Sequence, residues 1–407
     1  MSDKLLKRLM GQSVDAAPAG AAPRDTQTTA DLTRALHGVR RQLLELTGLV
    51  QQQSDFTVEA LHRAGWQSDA EATQQAALRK ALRLVDTRDA DVIVGPWTGE
   101  VGFELLYWIP FLNWLVEQGF DSRRMIVVSR GGASAWYQHL TPRYVDILDV
   151  VAPADFQSQT AGPKKQLEGR ALDRQVIEAV RARLQLAGDA PVLHPSAMYR
   201  LFQALWRRQA SVELVRSFTV YKPMEVEAGV LDLDVPLPAG YIAAKFYFSK
   251  AFPDSSNNRR AVTQLLQAVS RQAPVAMLTA TTRLDDHVDV DAPAGSGIYV
   301  VDTHRVPQDN LTFQTRIIAG SRGFVGTYGG LSYLAPFLGV RSLSMFSRRD
   351  GFENHHLECA NQVFDELLPG GFLAIDRRAL DMVAPTVAGW ERVARASAKA
   401  AKATGIP

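Results

Sequence analysis

The segment from Asp91 to Gly132 constrains the fold more than any other part of the chain. Val92-Ile-Val94 is an apolar run too short for a helix and reads as a buried strand. Gly95-Pro-Trp-Thr-Gly-Glu-Val-Gly102 follows as a glycine-rich loop. Phe103 to Gln118 then reads as an apolar helix ending at Gly119, and Met125-Ile-Val-Val128 as a second strand closing in Ser129-Arg-Gly-Gly132. Strand, glycine-rich loop, helix and strand make a βαβ unit. Strands that are apolar throughout belong to a parallel sheet covered on both faces.

The pattern continues. Val145 to Val151 reads as a third strand, Leu172 to Leu186 as a helix, and 194–218 as a helical, aromatic-rich stretch. Asp232 to Gly240 is Pro-rich and marks a boundary. A second α/β unit follows it. Strands are expected at Tyr241–Phe248, Val275–Thr279, Ile298–Asp302, Gly323–Gly326 and Arg341–Phe346, and helices at Asn258–Gln272, Phe313–Ala319 and Leu331–Leu338. The tail from Asp381 to Ala400 reads as one more helix. The expected organisation is a flexible terminus and linker (1–30), a helical segment (31–88), a first α/β domain (89–231), a second (240–380) and a C-terminal helix (381–407). Ligands in such sheets bind beyond the carboxyl ends of the strands, here toward a cleft between the two domains.

Ahead of these domains, Leu32, Leu36, Val39, Leu43, Leu46 and Val50 recur with the a/d spacing of a coiled coil, so 32–50 is expected to pair with a second copy or to lie across the chain's own globular part. Leu5, Leu6, Leu9 and Met10 opposite Lys4, Lys7 and Arg8 would form a weak basic amphipathic anchor at a membrane face, or a frayed end. Composition narrows the class. With 46% hydrophobic and 22% charged residues the chain is globular, and a net charge of +2 gives no sign of a nucleic-acid partner. The one cysteine, Cys359, excludes an internal disulfide, and no stretch is apolar enough to span a bilayer, so a cytoplasmic location is expected.

Three constellations carry chemistry. The first is Phe324-Val-Gly-Thr-Tyr-Gly-Gly-Leu-Ser-Tyr333, where a strand ends in small and hydroxylated residues before a helix. Thr327, Tyr328, Gly329, Gly330 and Ser332 there make a phosphate-binding turn, or an ordinary β–α turn that needs glycine. The second is the loop after the first strand. Glu100, between Gly99 and Val101, projects a carboxylate toward the cleft, or caps the following helix. Trp97 offers an aromatic stacking face, and Glu104 is a second, less favoured acid. The third is Lys245-Phe-Tyr-Phe248, with Lys245 and Tyr247 on one side of a strand end, placed to neutralise phosphates or to snorkel at a sheet edge. Asp285-Asp-His287 with Asp289 and Asp291 reads as a solvated acidic loop, and Asp232-Leu-Asp234 as a coincidental match to a metal motif. His355-His356 point different ways and are not read as metal ligands.

The run from Phe324 to Phe346 resembles the C-terminal donor-binding signature of GT-B-fold glycosyltransferases, in particular the heptosyltransferase-like group, with Gly326 where Asp is common and Tyr333 where His is common. The resemblance implies two Rossmann-like domains, GT-B-like, behind the N-terminal helical or coiled-coil segment. It implies a nucleotide-sugar donor held by Gly99, Lys245, Tyr247, Thr327, Tyr328, Gly329, Gly330 and Ser332, with Glu100 catalytic. It further implies a glycan acceptor, no bound metal and no cofactor, in cell-surface polysaccharide synthesis at the inner face of a membrane. A non-catalytic two-domain scaffold and a GT-B-like sugar-nucleotide epimerase stand as alternatives.

Overall fold

The computed structural model describes residues 76–79, 83, 90–160, 166–226, 236–279, 288–293, 295, 297–302, 307–352, 354–380 and 387. The basic terminus, the 32–50 stripe, Asp232, Asp234, Asp285, Asp286, His287 and nearly all of 381–407 lie outside the described residues.

Four strands build the first sheet: β1 (Val92–Val94), β2 (Met125–Ser129), β3 (Tyr144–Asp146) and β4 (Val192–Leu193), in the order β3-β2-β1-β4. Every pairing is parallel. The unbroken apolar runs of β1 and β2 follow from this, since both faces of the sheet are covered and all their residues are buried. Two expectations change. The third strand ends at Asp146, because its carboxylate turns back to accept from the amides of Gly131, Gly132 and Leu148 at 3.2, 2.8 and 2.9 Å, and the chain continues as a 3-10 turn at Ile147–Asp149. The stretch 194–218 is not one helix but three short pieces, Ser196–Leu201, Gln203–Trp206 and Glu213–Arg216, with Arg208 at φ +59° between the last two.

Between β1 and β2 the chain forms α1 (Val101–Phe103), a π-helical turn (Glu104–Trp108) and α2 (Ile109–Glu117), which Gly119 at φ +101° terminates. The helix α3 (Ala171–Leu184) lies with Leu172, Val176 and Val180 on the other face of the sheet, against Ile93, Ile126 and Val128. Those residues recur at i, i+4 and i+8, the stripe that buries a helix on a sheet.

The second sheet holds β5 (Ile242–Lys245), β7 (Val275–Thr279), β9 (Ile298–Asp302), β10 (Gly323–Thr327), β11 (Arg341–Phe346) and β12 (Phe372–Asp376), in the order β12-β11-β10-β5-β7-β9. It is parallel throughout. The chain starts in the middle at β5, works outward through β7 and β9, then returns to build the other side from β10. Two-residue strands β6 (Tyr247–Phe248) and β8 (Val288–Asp289) pair antiparallel apart from the main sheet. The crossing helices are α4 (Ser256–Ser270), α5 (Asn310–Gly320), α6 (Leu331–Phe337) and α7 (Asn354–Leu367). Helix α7 and strand β12 were not expected. Among the described residues no helix is long and apolar enough to cross a membrane.

One hydrophobic cluster runs through both halves, from Leu105, Trp108 and Phe111 to Leu334, Phe337 and Phe364. Polar bonds stitch the same seam. Trp136 Nε1 donates to Thr315 Oγ1 at 2.9 Å, the Leu311 amide donates to the Gly131 carbonyl at 2.7 Å, and the Met224 amide donates to the Phe337 carbonyl at 2.8 Å. Gly132 is the tightest point. Its φ is +83°, and a Cβ there would stand 2.3 Å from the Gln308 carbonyl oxygen. Gly132→Ala should therefore destabilise the chain by more than about 2 kcal/mol through strain and collision. Urea denaturation reads this directly, and an unchanged midpoint would mean that the seam yields.

Candidate functional site

In each sheet the first strand is flanked by strands reached in opposite directions, β1 by β2 and β4, and β5 by β7 and β10. Such a switch point opens a crevice beyond the carboxyl ends of the strands. The three segments singled out in the sequence leave those ends: Gly95–Glu100 after β1, Tyr247–Phe248 after β5 and Tyr328–Ser332 after β10. They converge. A Cβ on Gly102 would lie 3.1 Å from the Gly330 amide nitrogen and 3.4 Å from the Tyr333 ring, so the two glycine turns touch backbone to backbone. At this point the expected cleft between the halves is closed, because neither turn carries a side chain to hold them apart.

The β10 turn needs its glycines, with Gly329 at φ +105° and Gly330 at φ +44°. The Thr327 and Ser332 hydroxyls are already engaged. The Thr327 hydroxyl donates to the Tyr247 carbonyl at 2.9 Å and accepts from the Tyr247 amide at 3.0 Å, clipping β6 to β10. Ser332 Oγ accepts from the Gly329 amide at 3.1 Å. The Tyr247 hydroxyl donates to the Tyr328 carbonyl at 3.4 Å and lies over both glycines. Tyr328 is buried with its ring edge-on to Tyr333, centroids 5.7 Å apart. Gly326 has a steric reason as well: a Cβ there would stand 2.4 Å from the Lys245 carbonyl oxygen, so no aspartate fits.

Lys245 is buried at 7% exposure, and its Nζ pairs with Asp289 Oδ2 at 2.5 Å. The β6–β8 pairing brings Asp289 there, so the charge expected to face phosphates already meets a carboxylate. Asp289, read as part of a solvated loop, is a partner within the fold.

On the facing side, Glu100 is half-buried at the start of α1 and makes no side-chain capping bond, so the capping role is not taken up. Its charge adds to burial in pushing the Tyr199 phenol upward. Trp97 corrects an expectation. It is fully buried, stacked between Trp108 and Tyr199 at 5.9 and 6.0 Å, where no sugar can reach it. The loop is held from behind. The Thr98 amide donates to Gln166 Oε1 at 3.0 Å, Gln166 Nε2 donates to the Pro96 carbonyl at 3.0 Å, and Asp173 Oδ2 lies 3.2 Å from His194 Nε2. The Gly99 carbonyl accepts from Arg130 Nη2.

Beneath the loop, the π-helical turn points Glu104 at the end of β2. The carboxyl is fully buried, and Oε1 accepts from Ser129 Oγ and from the Tyr137 hydroxyl, each at 2.5 Å. Oε2 has no hydrogen-bond partner. Burial dominates and pushes the carboxyl up to about 7, against the opposing pull of Arg130 and of the two hydroxyls. At the far side of the site the Tyr107 hydroxyl and His356 Nδ1 are 2.7 Å apart, and burial pushes the Cys359 thiol up to about 12. Among the described residues no three His, Cys, Asp or Glu side chains are grouped to hold a metal ion.

No family model and no curated protein sequence matches the chain. Some solved structures show a low overall similarity to it. It is similar to the ADP-heptose lipopolysaccharide heptosyltransferase II of E. coli at 8% identity, covering 73% of this chain and 98% of that one, with a TM-score of 0.40. It is similar to the E. coli heptosyltransferase WaaC with ADP-2-deoxy-2-fluoro heptose at 14% identity, covering 73% and 97%, with a TM-score of 0.35. It is also similar to the UDP-GlcNAc 2-epimerase of Methanocaldococcus jannaschii at 9% identity, covering 74% and 93%, with a TM-score of 0.32.

Two residues carry more of the site than the sequence reading allotted them. Glu104 is the lone charged residue in the run Val101–Leu112, a signal that its carboxyl would be buried. Arg130 sits in a strand end otherwise read for its glycines. Glu104 makes a testable contribution. The folded chain holds its proton up to about pH 7, whereas the unfolded chain releases it near the ordinary carboxylate value. Between those values folding takes up a proton, so this contribution to stability falls as the pH rises and is fully lost above the folded value. Glu104→Gln should therefore gain stability relative to wild type on going from about pH 5 to about pH 8. Urea curves at both pH values check this, and a constant difference between the two proteins would contradict it.

Proposed function

We propose that the chain is a glycosyltransferase that moves a sugar from a nucleotide-sugar donor to a hydroxyl of a glycan acceptor, with inversion. One observation carries the reading: the switch points of two parallel sheets face each other, one presenting a glycine turn and the other a half-buried carboxylate, Glu100. The donor diphosphate lies along the Tyr328–Ser332 turn, whose left-handed glycines let an oxyanion approach the backbone closely. Glu100 accepts the proton of the acceptor hydroxyl. The freed oxygen attacks the anomeric carbon, and the bond to the diphosphate breaks with its electron pair leaving on phosphate. Backbone dipoles and basic side chains stabilise that leaving group, so the transfer needs no bound metal. Because Gly102 and Gly330 touch, donor entry requires the two turns to separate, and closure over the bound donor then excludes water. We assign the acceptor to the cell-surface glycans, reached at the inner face of a membrane, with self-association through 32–50.

A panel of nucleotide sugars tests the reading by thermal shift, followed by turnover with acceptor. One or more donors should raise the melting temperature. Glu100→Gln should keep donor affinity and lose about 10²- to 10⁴-fold in turnover. A variant that keeps its turnover removes Glu100 as the base. Interconversion of the donor without acceptor would favour an epimerase, and indifference to every donor a scaffold.

A further inference from the structure

Arg130 leaves the carboxyl end of β2 and is 5% exposed. A buried guanidinium is normally held by a carboxylate, because a lone charge removed from water is costly. Among the described residues no carboxylate lies within ion-pairing distance of it. Asp146, which stands at the end of the neighbouring strand, is committed to the Gly131, Gly132 and Leu148 amides and the Tyr144 hydroxyl. Glu104 is close enough to feel the charge but bonds only Ser129 and Tyr137. The one protein acceptor of the guanidinium among the described residues is the Gly99 carbonyl. Its other N–H groups are not among the sealed, unpartnered polar atoms of the core, so they reach the surface through the small exposed part of the side chain.

The place matters as much as the vacancy in its pairing. The acceptor Gly99 adjoins Glu100, and Gly102 of the same loop touches Gly330 of the β10 turn. Lys245, the cation the sequence offers for phosphate, is neutralised by Asp289. Arg130 is thus a cation at this crevice with charge and a planar fork of donors left to give. Phosphoryl oxygens fit such a fork in pairs, which a lysine cannot reproduce.

We propose that Arg130 is an oxyanion-binding residue of this site, gripping phosphoryl oxygens of the substrate with the guanidinium N–H groups not used on Gly99. The identity of those oxygens as the donor diphosphate rests on the transfer reaction proposed above. When bound, they complete the pairing of a charge that the fold leaves open, and through the Gly99 bond the same guanidinium orients the loop that carries Glu100.

The test titrates the full-length wild type, Arg130→Lys and Arg130→Met with ADP, GDP, UDP, inorganic pyrophosphate and glucose 6-phosphate by calorimetry, with melting curves on each protein. The wild type should bind at least one nucleoside diphosphate. Arg130→Met should lose about 10- to 100-fold in affinity, as expected for charge-assisted bonds, and Arg130→Lys should recover only part of it. If Arg130→Met fails to fold, Arg130→Lys carries the comparison. Phenylglyoxal modification of the wild type with peptide mapping adds a readout free of mutation: bound diphosphate should slow labelling of Arg130. Equal affinity in folded variants overturns Arg130 while leaving the transfer reading intact. Binding of pyrophosphate or glucose 6-phosphate alone, lost in the variants, keeps the oxyanion residue and removes the donor diphosphate. Absence of binding by every probe overturns both.

Discussion

The centre of this protein depends on a contact between two pieces of backbone. Gly102 and Gly330 come together because neither has a side chain, and an added Cβ at Gly102 would already crowd the Gly330 amide. Around that point the apolar cluster is continuous from the first sheet's helices to the second's, so the halves are joined by a core rather than by a linker alone. The geometry of every candidate group follows. Glu100 stands where it does because α1 starts one residue before the contact, and Tyr247 lies over the opposite turn because Thr327 holds β6 in place.

Electrostatics then sort the charged residues into those already paired and those available. Lys245 with Asp289 is a closed pair, and Asp146 is saturated by backbone amides. Glu104 avoids the cost of a buried charge by holding a proton toward neutral pH. Arg130 is buried with the Gly99 carbonyl as its one protein acceptor among the described residues. On the oxyanion-binding proposal, this arrangement orients the cation before the ligand arrives.

Much of the layout was legible in the chain. β1, β2, β7 and β10 are largely apolar runs with glycine or proline nearby, and buried parallel strands leave that mark. Helix α7 carries its buried stripe at His356, Cys359, Ala360, Val363 and Phe364. β4, β6 and β8 have two residues each, and no periodicity exists at that length. The pairing of Lys245 with Asp289 spans 44 positions and depends on the β6–β8 bridge, which local sequence does not encode. The state of Arg130 was hidden for a different reason: it is defined by the carboxylates that fail to approach, and only tertiary structure shows that.

The π-helical turn at Glu104–Trp108 has a consequence for how this region can vary. A π turn holds one residue more than an α turn, so the side chains beyond it are rotated by about a third of a turn relative to those before it. That offset lets Glu104 meet β2 while Leu112 and Leu115 still fall into the apolar cluster. Removing a single residue anywhere in the turn would restore an ordinary α-helix and swing one of these two faces out of register. The segment therefore tolerates exchange of side chains far better than a change of length, and relatives that shorten it would be expected to have lost the buried acid as well.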